Sequence, residues 1–233
     1  PWSLFGILIL GTGVLMGGAW AYEALSFGGF WAWDPVENAS LVPWLVLVGA
    51  THVMIIFNKN GTSLHSSYIL CTLSFILVLY STFLTRSGIL GDTSVHAFTD
   101  LGMKGQLLIY MVFFFALAVF LSIKNRKLLS TRTEEDPVSS REFWMFMGML
   151  ILVISAIQIS ITTSIPVINK LFNLKMAPPA DAIDFYNSWQ IPLAAVIALL
   201  MSVGLYFKWK QTDLKSMAKK LLLSFIASLV ITF

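Results

Sequence analysis

The sequence predicts an all-α, polytopic integral membrane bundle of six full transmembrane helices plus a partial seventh. Three observations carry that expectation. Apolar runs of about 20 residues, the length that crosses a bilayer as helix, recur along the chain. Only 12% of the 233 residues are charged and mean hydropathy is +0.80, whereas soluble domains carry roughly a quarter charged residues. The charges that exist gather between the apolar runs. Spans are expected at 3–24, 36–57, 65–85, 105–123, 142–163 and 188–207, with the partial run at 220–233. Pro1 leads straight into an apolar run without a basic leader, and the last run stops at Phe233 without a polar flank. The chain therefore reads as a single membrane domain, 1–233, cut at both ends from a larger protein.

Sidedness follows from Lys and Arg in alternate loops. Eleven of the 15 lie on one side, at Lys59, between Lys124 and Arg141, and between Lys208 and Lys220. That side is expected to be cytoplasmic. Residues 26–44 and the loops 86–104 and 164–187 then share the outer face. The pI near 9.0 carries no nucleic-acid signal, because no basic stripe interleaves with aromatics.

Between the first two spans, Phe27, Phe30, Trp31 and Trp33 crowd a short segment opened by Gly28 and Gly29. Paired glycines make a bend, and indoles favour the membrane–water boundary. The segment is an interfacial aromatic platform or an aromatic belt. Asp34-Pro35-Val36-Glu37 fits a helix start, with Asp34 as N-cap, Pro35 at the first helical position and Glu37 closing a capping box. Pro43 frees the carbonyl of Ala39 and is expected to kink the second span. His52 lies well inside that span, beside Gly49 and Ala50. An ionisable residue at such depth faces the bundle interior. It either ligates a haem iron or hydrogen-bonds a Ser or Thr of a neighbouring helix.

Further on, His65 reads as a polar boundary residue and Cys71 as a small core residue. One cysteine excludes disulfides and thiolate metal clusters. Arg86, just past the third span, is an interface anchor or a clamp for a carboxylate. His96, in the outer loop Gly91–Phe98, is a surface residue or an axial ligand opposite the platform. Residues 124–141 read as a solvated connector. The loop 164–187, with Pro166, Pro178 and Pro179 and the aromatics Phe172, Phe185 and Tyr186, is a candidate to pack beneath the platform. Asn187-Ser188-Trp189-Gln190 reads as the N-cap box that opens the sixth span. No nucleophile elbow, P-loop, His-Glu-x-x-His or paired-acid spacing is present.

Trp20, then Phe27-Gly28-Gly29-Phe30-Trp31-Ala32-Trp33-Asp34-Pro35-Val36-Glu37-Asn38-Ala39-Ser40, then Pro43-Trp44, resemble the tryptophan-rich WWD signature of haem-handling proteins. Thr85-Arg86-Ser87-Gly88 and Ser94-Val95-His96-Ala97-Phe98 resemble the companion outer-loop motif of the CcmF/NrfE-type cytochrome c haem lyases. The motifs cover about 17–106; the spans of 107–233 agree in hydropathy only.

The resemblance implies a platform at the periplasmic face of a bacterial inner membrane that holds haem b. Trp20, Phe27, Phe30, Trp31, Trp33, Asp34, Arg86 and His96 would be its cofactor-binding residues, with His96 on the iron. His52 would ligate a second, membrane-embedded haem b. The implied reaction is that of a haem lyase, adding the two thiols of a C-x-x-C-H apocytochrome c across the haem vinyl groups. Implied partners are haem, apocytochrome c, a haem chaperone, other cytochrome c maturation subunits, membrane lipid and quinol; no nucleic acid is implied. Phe27 and Phe30 stand where the family often has Trp. No His precedes His52 or follows His96, so the partner ligands of both irons are expected outside this chain. The rival readings are a haem transporter or exporter component that forms no bond, and a structural subunit without cofactor.

Overall fold

The computed structural model describes residues 1–24, 29–96, 102–129 and 136–232. Among these residues the secondary structure is helical throughout. The long helices are α1 (Trp2–Glu23), α2 (Pro35–Asn60), α3 (Leu64–Arg86), α4 (Lys104–Lys124), α6 (Arg141–Thr163), α8 (Ala182–Gly204) and α9 (Leu214–Thr232). Two short ones, α5 (Arg126–Leu129) and α7 (Ile165–Phe172), and a single 3-10 turn at Gly91–Thr93 fill the connections. Six helices, α1, α2, α3, α4, α6 and α8, are long and apolar enough to cross a membrane. This is the multi-pass bundle that the hydropathy predicted, with most boundaries within a few residues. The final run is helical as well, starting earlier than expected at Leu214.

α2 is the central post. It packs against α3 and α6 along its length and against α1 near its start, while α4 leans on α3 and α8 on α6. Its buried face, Val42, Leu45, Val46, Ala50, Val53 and Ile56, meets Leu70 of α3, Met149, Leu152, Ala156 and Ile159 of α6, and Tyr186 of α8. Gly49 faces α6, where a Cβ would sit in ordinary contact 3.4 Å from the Met149 side chain. α2 also begins and ends as its sequence dictates. Asp34 caps it by accepting from Val36 N at 2.9 Å, Glu37 closes the capping box, and Gly61 stops it in the left-handed region with φ 71°. Pro43 lies inside this helix, which runs unbroken past it.

In lipid, helices gain little from burying apolar surface against each other, so buried polar pairs and small residues carry much of their contact. Ser155 Oγ donates to Gln190 Oε1 and Gln190 Nε2 to Gln158 Oε1, both at 2.6 Å, joining α6 to α8. Ser74 Oγ donates to the Pro43 carbonyl at 3.0 Å, joining α3 to α2. Trp44 Nε1 donates to the Ile7 carbonyl at 3.0 Å across Gly11, tying α1 to α2.

Two expectations are corrected. The sixth span opens at Ala182, not at 188, because Asp181 takes the cap and accepts from Asp184 N at 2.9 Å. An Asp just after the Pro178-Pro179 pair, where the chain cannot yet be helical, captures the start; Asn187 then lies inside the helix. The stretch 164–187 is no irregular loop either. It holds α7 and the first turns of α8, with Pro166 at the start of α7, where its missing N–H costs nothing.

The connector 124–141 also ends on a buried polar knot rather than in a wholly solvated face. Glu142, in the first turn of α6, is 0% exposed. Its Oε1 accepts from Asn60 Nδ2 at 2.9 Å and its carboxylate from Lys210 N at 3.0 Å. Arg141 N donates to the Lys208 carbonyl at 2.9 Å. The end of α2, the start of α6 and the α8–α9 link meet there.

Candidate functional site

The opposite, tryptophan-bearing end is organised by the cap of α2. Asp34 Oδ1 accepts from Val36 N and, at 2.7 Å, from Ser94 Oγ; Oδ2 accepts from Val95 N at 3.2 Å. The loop after α3 is thereby fastened to the start of α2. His96 completes the arrangement. Its Nδ1 lies 3.2 Å from Asp34 Oδ1, with the two side chains only 14% and 8% exposed. The distance is that of an ion pair, although the angle falls short of an aligned hydrogen bond. Ser94 Oγ also accepts from His96 N at 3.1 Å, fixing the backbone that carries the ring. Glu37 holds the other side, its Oε2 accepting from Asp34 N at 3.1 Å and from Ala32 N at 2.9 Å.

The tryptophans part company at this cap. Trp33 has φ 56°, uncommon for a bulky residue, and turns towards α8. There it stacks on Tyr186 with ring centroids 5.0 Å apart and 16° between planes. Its Nε1 donates to Asn187 Oδ1 at 2.9 Å. Asn38, 0% exposed, donates to the Trp33 carbonyl at 3.0 Å and to Thr163 Oγ1 at 3.2 Å. Trp31 stands perpendicular to Trp33, at 90° with centroids 5.9 Å apart, and faces the other way. Its Nε1 is buried and has no hydrogen-bond partner.

Trp31 looks into a groove of about 420 Å³ walled by α1 and α3 and floored by α2. Gly13 and Gly17 of α1, Val78 and Thr82 of α3, and Pro43 of α2 line its depth, and Trp20, Trp31, Glu37 and His96 its mouth. A second polar atom there, Glu37 Oε1, is also buried and unpartnered. A mostly apolar cavity in the range of about 300–1,000 Å³ with a few converging polar groups is the usual form of a small-molecule site.

The structure therefore brings Trp20, Trp31 and His96 together, with Asp34 behind His96. Phe30 lies against α1, where a Cβ on Gly18 would come within 2.9 Å of both its ring and its carbonyl oxygen. Trp33 is outside the groove lining, and Arg86 is the exposed last residue of α3. His52 is half-buried in α2, its Nδ1 2.8 Å from the Val48 carbonyl. Phe27 lies outside the described residues. His65 is exposed, as its boundary position suggested. Missed beforehand were Ser94 and Asn187; Tyr186, in the stretch named as a candidate to pack beneath the platform, stacks on Trp33. Ser94 carried a signal, a hydroxyl two residues before a histidine; Asn187 carried one that pointed to a helix cap instead.

Residues 1–90 match the family model described as "Cytochrome C assembly protein". Among curated proteins, the chain is 34% identical over 219 residues to the cytochrome c-type biogenesis protein CcmF of Pseudomonas fluorescens, covering 92% of this chain and 32% of that protein. It is 31% identical over 233 residues to CcmF of Escherichia coli K12, covering 100% of this chain and 35% of that protein. A solved structure titled cytochrome c heme lyase CcmF matches with a TM-score of 0.65 and 30% identity, over 91% of this chain and 30% of that one. The chain thus spans about a third of the length of the relatives it matches.

Proposed function

This chain belongs with the CcmF-type cytochrome c biogenesis proteins, and from that kinship we propose that it forms the haem-holding part of a cytochrome c haem lyase. The observation that carries the reading is that His96 and the unpaired Trp31 indole open onto one apolar groove at the same end of the bundle. The residues present suit a flat, amphipathic macrocycle. Trp20 and Trp31 offer apolar faces, with Phe30 next to Trp31 in the strap and Phe27 a further candidate by its place in the motif, and the buried Trp31 N–H lacks an acceptor that a ligand would provide. His96 supplies the nitrogen for iron, and Arg86, at the same end, supplies a cation for a propionate.

Haem, when bound, supplies the iron that takes the histidine and the vinyl groups to which the two thiols of a C-x-x-C-H apocytochrome c add. The chain's own task is orientation. The strap 29–34 and the loop 94–96 hold one edge of the groove, and the depth of the groove excludes water from an apolar face. Trp33 anchors the strap to α8 rather than stacking on the ligand.

His52 is the candidate ligand for a second haem b within the membrane. Its Nδ1, committed to the Val48 carbonyl, leaves Nε2 as the free lone pair, the arrangement that usually backs a metal-bound histidine. A haem chaperone and further maturation subunits fit the same reading as partners, with quinol as the electron donor, and a bacterial inner membrane as the site, with the tryptophan end periplasmic. The test is His96→Ala in the full-length protein. Loss of c-type cytochromes, with the protein still present in the membrane, is expected; normal maturation refutes the role of His96.

A further inference from the structure

Asp34 has more partners than a helix cap needs. One oxygen satisfies the α2 backbone at Val36, and the capping box is complete with Glu37. The carboxylate nonetheless also takes the Ser94 hydroxyl, the Val95 N–H and the Nδ1 side of His96. Those three belong to the loop 94–96, 60 to 62 residues away in sequence. We propose that Asp34 is a positioning residue for His96: it draws the Nδ1–H, fixes the tautomer that leaves the lone pair on Nε2, and turns that nitrogen away from the cap. This rests on the reading of His96 as an iron ligand and specifies how that ligand is prepared.

The chemistry follows from the two ends of the ring. With a carboxylate at Nδ1, an imidazole cannot present its lone pair there, so Nε2 is the nitrogen offered to a ligand. A carboxylate this close to Nδ1 also makes Nε2 more basic, which favours ferric over ferrous iron. The start of α2 and the loop after α3 hold the Asp34 carboxylate in place. It sits at the N-terminus of α2, where unpaired N–H groups and the helix dipole favour negative charge, and it accepts from two backbone N–H groups and a hydroxyl. Ser94, 8% exposed, bridges the pair by donating to Asp34 and accepting from the His96 backbone. The ring is therefore held from two directions, by its own main chain and by its Nδ1.

Asp34→Asn separates this role from capping, because Asn caps helices as well as Asp does but carries no charge. Asp34→Ser is the second variant: Ser also caps, and its side chain is too short to reach His96. Both are compared with wild type and His96→Ala in the full-length protein in detergent. Thermal unfolding, haem affinity by Soret titration and the midpoint potential of the bound haem are read; any embedded haem is common to all samples. The expected result for either capping variant is a protein that still folds, its unfolding temperature lowered only by the lost contacts to Ser94 and Val95, with haem affinity lower by about 10–100-fold and a midpoint shifted to more positive potential. Wild-type affinity and potential in both variants, while His96→Ala loses haem, overturns the role of Asp34 and leaves His96 as the ligand. Wild-type affinity in His96→Ala refutes the ligand itself, and the inference with it.

Discussion

Adjacent glycines on α1 should respond in opposite ways to the same substitution. At Gly17 an added Cβ meets no atom within 4 Å; at Gly18 it would lie 2.9 Å from the Phe30 ring and 2.9 Å from the Phe30 carbonyl oxygen. Both positions gain helix propensity from Ala, up to about 1 kcal/mol. Only Gly18 meets an obstacle, and half of it is backbone, which cannot swing aside as a side chain can. Overpacking of that kind costs about 1–3 kcal/mol. The net expectation is that Gly17→Ala leaves stability unchanged or raised by up to about 1 kcal/mol. Gly18→Ala should be lowered by up to about 2 kcal/mol, the difference of those two effects. Displacing Phe30 also shifts the strap that carries Trp31, so haem binding should weaken at Gly18→Ala. The assay is thermal unfolding of the detergent-solubilised full-length proteins side by side, with Soret absorbance per protein as a second reading. Equal stability and equal haem content in the two variants would refute the packing of Phe30 on α1.

Trp33→Phe should keep the stack on Tyr186 but lose the bond to Asn187, lowering stability by about 0.5–1.5 kcal/mol. Trp31→Phe removes an indole N–H that has no partner, so it should cost little stability while reducing haem retention; chemical denaturation and Soret absorbance distinguish the two. Glu142→Ala should destabilise by roughly 1–3 kcal/mol for each buried donor left unpaired at Asn60 and Lys210, seen as loss of folded protein from the membrane and a lower unfolding temperature. A wild-type unfolding temperature would remove the polar knot from the account of stability.

Much of the bundle was legible because membrane spans are set by length and hydropathy, which are local. The α2 cap was legible for the same reason: Asp34, Pro35 and Glu37 are neighbours in sequence. What could not be read is what depends on distant partners. Trp31 and Trp33 look equivalent in the motif, yet Trp33 is claimed by Tyr186 and Asn187, more than 150 residues later. Asn187 misled because it is also a good cap, and only the fold shows that Asp181 starts the helix first. The groove was invisible because three helices contribute to it. The spacing of Gly13 and Gly17 on one helix face is its sole local trace. Likewise Glu142, the first residue of the span expected at 142–163, carries no signal of its own until Asn60 and Lys210 close over it.

The unbroken course of α2 makes it a ruler. Asp34 at its cap and His52 within it lie eighteen residues apart on one helix, which at 1.5 Å per residue is roughly 27 Å along the axis. That is close to the full depth of a bilayer's hydrocarbon, about 30 Å. The separation is written into a single covalent rod, buried among its neighbours and fastened at one end by Asp34 and at the other by Asn60. The gauge between the two ends of α2 is thus fixed by one helix, whereas the groove at its tryptophan end can still be widened or narrowed by α1 and α3, which wall it.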